Sequence, residues 1–339
     1  MKGLYWVAAL ALICSSTALN VASPIPQASD ANKQTTNLPD LDEASRLSRQ
    51  VVTLYDQGKF DEALPLARRA LELREKHLGS EHELVGRALE NLASLYFAKK
   101  QYEWAARSYQ RALNVFEKTL GENNPKVADM IDFVAWSNYG LGDARLAESY
   151  FQRALAIREK AFGAESKQVG ESLYMLGQFY QKAGKEDKAV KAYKRAIPIT
   201  EKTLGGKSKE FGTLLEKCAC ALLGSGEKAE GAGMALRAQV ILHQHGPASV
   251  VGQVLQGHAI FRAEPVYPSG ARHAGTSGTV MVEVTVDETG KVVEARSLCG
   301  PDLLVGAAVE AARHWRFSPT LLSGQPVKVI GTITFNFHL

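Results

Sequence analysis

Cysteine is scarce in this chain, four in 339 residues, too few for a disulfide framework. Charge of one sign is scarce as well: 40 basic residues face 36 acidic ones, the formal net charge is +4, and no Lys/Arg block is longer than a pair. Phosphate neutralisation needs a clustered basic face, so this balance argues against a dedicated nucleic-acid binder. Long apolar runs are missing too. Beyond the first twenty residues nothing approaches the ~18 apolar residues of a membrane span. The chain has no Gly-rich phosphate loop, Cys-x-x-Cys pair, His-Glu-x-x-His helix or Gly-x-Ser-x-Gly elbow. His243 and His245 make the only close histidine pair and lack carboxylate or cysteine companions nearby, which suits a junction better than a metal. The expectations are therefore no enzyme, no cofactor and no metal.

What is present begins with 45% hydrophobic residues, enough for a sizeable core, over a length that suits about two domains. Lys2, an apolar run from Leu4 to Ile13 and a small, polar stretch from Cys14 to Ala18 read as a secretory signal, with cleavage after Ala18 or Ala22. A retained anchor is the competing reading, and the polar tract intervenes too soon for it. Lipidation of Cys14 is disfavoured by Ile13 before it. The expectation is a signal peptide over residues 1–22, a flexible leader rich in Pro, Ser, Asn and Gln over residues 23–40, and a periplasmic mature protein.

A period fills the middle of the chain. Gly79, Gly121, Gly163 and Gly205 follow Leu or Phe at steps of 42 residues, and the pairs Arg69-Ala70, Arg111-Ala112, Arg153-Ala154 and Arg195-Ala196 keep the same phase. So do Glu75-Lys76, Glu117-Lys118, Glu159-Lys160 and Glu201-Lys202, which read as a solvated face. Each period holds two apolar stripes at helical spacing, such as Leu89, Leu92, Ala93, Tyr96 and then Ala105, Tyr109, Ala112, Leu113, Phe116. The turn between them falls at Gly58, Lys100, Gly142, Gly184 or Gly226, as a left-handed helix C-cap favours. In Leu120-Gly-Glu-Asn-Asn-Pro125 the next helix can start with Asn124 as N-cap and Pro125 in its first turn. One pair cannot bury both faces, so the pairs must stack.

The positions of Leu92-Ala93, Tyr96, Tyr102, Ala105, Tyr109 and Ala112 resemble the tetratricopeptide repeat, in its longer kinesin-light-chain-like variant. Five repeats span about Asp42 to His243, the last degenerate, with Gly231 for the packing alanine, and the repeat domain is expected over residues 41–245. The resemblance implies an all-α superhelical solenoid that binds a peptide or helix of a protein partner on its concave side. Carried over by repeat position, the contact candidates are Asn91, Ser94, Asp129, Phe133, Trp136, Tyr139, Tyr174, Gln178 and Gln181. Filling gaps between repeats is the competing role for Trp136 and Tyr139.

After Gly246-Pro247 the pattern changes. Thr279 to Val286 alternates, Asp287-Glu-Thr-Gly290 supplies a turn and Lys291 to Ser297 alternates again, a hairpin signal. Leu303 to Arg313 is helical in period, and Val327 to Phe337 is a last strand, so a small α+β domain is expected over residues 254–339. The stretches from Glu264 to Gly300, Ala307 to Pro319 and Ser323 to Phe337 resemble the TonB C-terminal domain. The resemblance implies pairing with an extended segment of an outer-membrane transporter, the TonB box, through β-augmentation at an exposed strand edge. The contact candidates it carries over are Glu264, Pro265, Tyr267 and Pro268, and Val327, Val329, Thr332 and Phe335 of the last strand. Glu264 departs from the glutamine that transporting members carry before the proline. Packing is the favoured role for Tyr267, Trp315 and Phe317.

Together these readings give an exported, non-enzymatic interaction protein of the cell envelope. In one version it acts in TonB-dependent, energy-coupled transport. In the other it is a periplasmic assembly scaffold that has reused the domain, since the Pro-rich linker usual before it is replaced by repeats. Cys218 stands where the sister repeats carry Leu92, Val134 and Leu176 and is expected in the core. Cys220 points elsewhere and suits a disulfide with Cys218 poorly, and Cys299 is the third cysteine beyond the signal, so at least one thiol stays free or pairs between molecules.

Overall fold

The computed structural model describes residues 38–243, 250–254 and 259–339. The signal, nearly all of the leader, His245 and the Gly246-Pro247 break lie outside them. Two compact units divide the chain after Ile157.

The first unit holds α1 (Leu38–Asp56), α2 (Phe60–Leu78), α3 (Glu83–Ala98), α4 (Tyr102–Leu120), α5 (Pro125–Gly140) and most of α6 (Ala144–Phe162). Alanines at the repeating positions, among them Ala63, Ala67, Ala88, Ala93, Ala105 and Ala112, let paired helices approach, and Leu89, Tyr109, Leu113 and Phe116 fill the space between pairs. As the periodicity predicts, Asn124 accepts a hydrogen bond from the Lys126 amide at 2.9 Å and Pro125 opens α5. The turns between paired helices sit at positive φ, 72° at Gly58 and 91° at Gly142, and Lys100 adopts 59° in the same place. There the Gln101 amide bonds back to the Tyr96 carbonyl at 2.9 Å, closing a Schellman-type end.

The second unit continues with α7 (Lys167–Lys182), α8 (Glu186–Leu204), α9 (Lys209–Gly224) and α10 (Lys228–Leu242), making ten described helices in the repeats. Packing is close where Gly177 of α7 meets the Tyr193 ring of α8: a Cβ there would lie 2.4 Å from a ring carbon. The Glu-Lys pairs do more than face solvent. Glu75, Glu117, Glu159 and Glu201 each bind the arginine 36 residues on, Arg111, Arg153, Arg195 and Arg237, and so clasp successive repeats; the Arg111 and Arg237 bonds measure 2.6 Å. These pairs are partly exposed, so each contributes only about 0.2–1 kcal/mol.

The rest of the second unit is α+β. A four-stranded sheet has the order β1 (Val250–Val254), β8 (Val329–Phe337), β3 (Gly278–Val286), β4 (Val292–Cys299). β1 runs parallel to β8, whereas β8 with β3 and β3 with β4 are antiparallel. The hairpin between β3 and β4 turns where expected, on Asp287, whose side chain accepts from the Thr289 and Lys291 amides at 3.0 and 2.9 Å. Short elements complete the domain: β2 (Ala259–Phe261) pairs with β5 (Arg316–Phe317), β6 (Leu321–Leu322) with β7 (Gln325–Pro326), and α11 (Ser269–His273) precedes β3.

Strand alternation splits the sheet's side chains between two partners. Val280, Val282, Val284 and Val286 of β3, with Val329, Ile333, Phe335 and Phe337 of β8, pack under α12 (Asp302–His314) against Leu304, Ala308 and Ala312. On the other face, Met281 and Leu298 meet Ala219 and Leu223 of α9 and Ala235 of α10. Both faces are therefore covered, which is why all of β3 from Val280 onward is buried.

Candidate interaction surfaces

The nine concave-face candidates fall in different units. In the first, Asn91, Ser94, Asp129 and Tyr139 are half-buried, while Phe133 and Trp136 are each only 6% exposed. Phe133 stacks on Tyr109, ring centroids 5.0 Å apart, and Trp136 packs edge-on against Phe151 at 5.1 Å. Their bulk fills gaps between helices, the packing role weighed for Trp136. The Ser94 hydroxyl is tied to the Tyr109 hydroxyl at 2.9 Å. Beside Asp129 lies Glu90, whose carboxyl is raised first by burial, with Lys126 at 3.4 Å pulling it back and Asp129 adding to the rise.

In the second unit, Tyr174, Gln178 and Gln181 share one side of α7. Gln181 accepts from the Tyr193 hydroxyl at 2.8 Å, and the Tyr174 and Tyr193 rings are 6.0 Å apart. Burial pushes the Tyr174 hydroxyl up, an effect that Gln178 partly offsets and Glu216 of α9 reinforces. The 42-residue period carries Tyr174 onto Glu216, Gln178 onto Cys220 and Gln181 onto Leu223. Those three positions of the fifth repeat touch the chain's own C-terminal sheet. Arg296 reaches Glu216 at 3.6 Å, Cys220 donates to the Leu298 carbonyl at 3.6 Å, and Leu223 packs on Met281. Sequence reasoning missed Glu216, Cys220 and Leu223, although the register that selected Trp136 and Gln178 also points to Cys220.

At the centre of this contact stands Glu283 of β3, 5% exposed. Arg296, its cross-strand neighbour on β4, donates from Nε to Oε1 at 2.6 Å and from Nη2 to Oε2 at 3.0 Å; Gln239 Nε2 donates to Oε2 at 3.1 Å and His243 Nε2 lies 3.2 Å from it. Burial works to raise the Glu283 carboxyl, but the Arg296 hydrogen bonds and charge, aided by His243, prevail and hold it below the ordinary carboxylate range. This is the junction role anticipated for His243.

The last strand is not the exposed edge that strand addition was expected to use. β8 lies inside the sheet, with β3 along one side and β1 along the other, where Val250, Val251, Gln253 and Val254 pair with Val329, Ile330, Gly331 and Thr332. The five residues of β1 supply a strand that the polar, Gly-containing stretch after the repeats did not announce. Val329 and Phe335 point into the core under α12, Val327 packs on its rim and donates its amide to the Thr320 carbonyl at 2.9 Å, and Thr332 is buried opposite Glu283. Beyond Thr332 no described strand pairs with that side of β8.

Of the other candidates, Tyr267 donates to the Thr276 carbonyl at 2.5 Å and packs edge-on against Phe337 at 5.6 Å. Trp315 bonds the Ala263 carbonyl at 2.9 Å and meets Phe335 and Phe317 at 5.6 and 6.0 Å. These three aromatics fasten the segment ahead of α11 to the core, the packing role expected of them. Glu264 is exposed, Pro265 and Pro268 are half-buried, and Val266 between them is 84% exposed. Among the described residues no helix is long and apolar enough to cross a membrane.

Comparison with known proteins matches both halves. Residues 263–339 match the family described as Gram-negative bacterial TonB protein C-terminal, and residues 42–118, 85–160 and 137–202 match the tetratricopeptide repeat. Protein TonB of Vibrio cholerae is 40% identical over 68 residues, 20% of this chain and 28% of that protein, so the chain spans little more than a quarter of that relative. Among solved structures, a kinesin light chain with nearly identical TPR-like repeats from Podosopora anserina is similar at TM-score 0.55 and 20% identity, over 61% of this chain and 99% of that one. BtubC (BKLC) from P. vanneervenii is similar at TM-score 0.53 and 22% identity, over 64% and 93%. At such identities the likeness is one of fold.

Proposed function

The chain joins tetratricopeptide repeats to a TonB C-terminal domain, and we propose that it is an exported interaction protein of the cell envelope, the repeats docking one protein and the C-terminal domain pairing with an extended segment of an outer-membrane transporter. The pairing of Val250–Val254 along Val329–Thr332 carries this reading. It supports a side of β8 that accepts a parallel strand, so an incoming segment would take that place by strand exchange with β1, its backbone hydrogen bonds replacing those released. Ile260, Phe261 and Val266, exposed at 72, 55 and 84%, offer apolar contact near Glu264. Placement in the periplasm rests on the signal pattern at Lys2 to Ala22 and on the likeness to TonB.

One observation favours the second version, an assembly scaffold without motor coupling. The sheet face of Met281 and Glu283 is spent on the fifth repeat, which makes the C-terminal domain a fixed extension of α9 and α10.

Binding of a fluorescent plug-domain peptide containing a TonB box separates the versions. We expect full-length protein with residues 250–254 replaced by Gly and Ser to bind at least tenfold more tightly than wild type, because β1 no longer competes. No binding by either protein removes the transporter partner and leaves the scaffold.

A further inference from the structure

Two cysteines from distant parts of the chain meet at the contact between the fifth repeat and the sheet. Cys220 lies on α9, at the repeat position of Ser94, Trp136 and Gln178, and its Sγ is 3.6 Å from the Leu298 carbonyl. Cys299, the next residue, ends β4 and packs into the cluster formed by Ala219, Leu223, Ala235, Met281 and Leu298. The carbonyl that the Cys220 thiol approaches thus belongs to the residue before Cys299, Cys299 pairs across the strands with Met281 of that same cluster, and both cysteines are free in this structure. Cys218, two residues from Cys220, is fully buried within the repeat and faces away from the sheet cluster.

We propose that Cys220 and Cys299 form a disulfide that staples the C-terminal domain to the last repeat, a modification site set by the tertiary fold. The oxidant is a disulfide of the thiol-exchange class, such as a dithiol oxidoreductase or oxidised glutathione. One protein thiolate attacks the donor disulfide and releases one donor thiolate, leaving a mixed disulfide. The second protein thiol loses its proton to the released thiolate and attacks the mixed disulfide, expelling the other half of the donor. Two protein thiols are oxidised by two electrons, and one donor disulfide is reduced to two thiols. The neighbouring Cys299 thiol, together with burial, holds the Cys220 thiol protonated above the ordinary thiol range, so the exchange is favoured at alkaline pH. The bond would fix the sheet on α9 whatever strand occupies the β1 position, and its formation does not depend on the proposed partners.

The test uses the purified full chain, equilibrated with oxidised glutathione at pH 8.5, alkylated and digested with trypsin. A single linked species is expected, joining the peptide that begins at Cys218 to the one that begins at Ser297; it persists in Cys218→Ser and disappears in Cys220→Ser and Cys299→Ser. Closing a loop of roughly 80 residues should raise the melting temperature of the oxidised wild type by about 5–10 °C over its reduced form, with no redox-dependent shift in Cys299→Ser. Both cysteines remaining alkylatable, a link that survives Cys220→Ser, or a link found only between molecules would each overturn the proposal.

Discussion

Arg296 lays its guanidinium along Glu283 in two parallel hydrogen bonds, Nε to Oε1 at 2.6 Å and Nη2 to Oε2 at 3.0 Å, and thereby joins two strands and the fifth repeat at one buried carboxylate. Gln239 and His243 complete the set from the repeat side. A carboxylate at 5% exposure requires such partners, because an unpaired buried charge is strongly unfavourable.

Arg296→Ala leaves Glu283 without its cation. With half of the arginine side chain in solvent, the loss is expected at about 2 kcal/mol of unfolding free energy in urea, less than the ~3–5 kcal/mol of a fully buried pair. Glu283 also sets an acid limit: its folded pKa lies below the ordinary 4.5, so its contribution is present above pH 4.5 and is lost as the pH falls below that value. Urea midpoints between pH 3 and 6 should fall more steeply in wild type than in Glu283→Gln; equal slopes would count against the pairing.

Glu186 has the opposite sign. It opens α8 with Oε2 buried and without a hydrogen-bond partner, and burial, with Asp187 adding, pushes its pKa up to about 7. The folded protein holds the extra proton, so this contribution is complete below pH 4.5 and declines as the pH rises through 7. Glu186→Gln should flatten the decline in melting temperature between pH 5 and 8 and be the more stable protein at pH 8.

Lys100 occupies a left-handed turn, φ 59°, where four sister repeats carry glycine. Lys100→Gly is expected to stabilise by about 0.5–1 kcal/mol, the relief of the Cβ penalty exceeding the added chain entropy. A chemical denaturation curve that shifts to lower denaturant would refute this.

Gly177 makes a tight helix contact, and a methyl group there would collide with Tyr193 at 2.4 Å from Cε1. Gly177→Ala should cost about 1–3 kcal/mol despite alanine's better helix propensity. Recovery in the double variant Gly177→Ala, Tyr193→Leu, read from melting temperatures, would assign the cost to the ring.

The repeats were legible because each signal is local: Asn124 and Pro125 start a helix by their own chemistry, and Gly58, Gly142, Gly184 and Gly226 end one. The strand pattern from Thr279 to Val286 was legible for the same reason, but the neighbour of β8 was not. Val250–Val254 is five residues in a stretch without alternation, and its strand character comes from the free side of β8. Met281 and Glu283 on the sheet's second face likewise gave no sign of which surface would cover them.

By itself, then, the sequence determined the helix pairs, their register, the hairpin on Asp287 and the two families, since periodicity, caps and turns act within a few residues. Only the tertiary structure decided that β8 is an inner strand, that Glu283, Arg296 and Glu216 converge, and that Cys220 meets Cys299. Those outcomes depend on which faces meet when the sheet settles on α9 and α10, a competition among long-range contacts that no local pattern encodes.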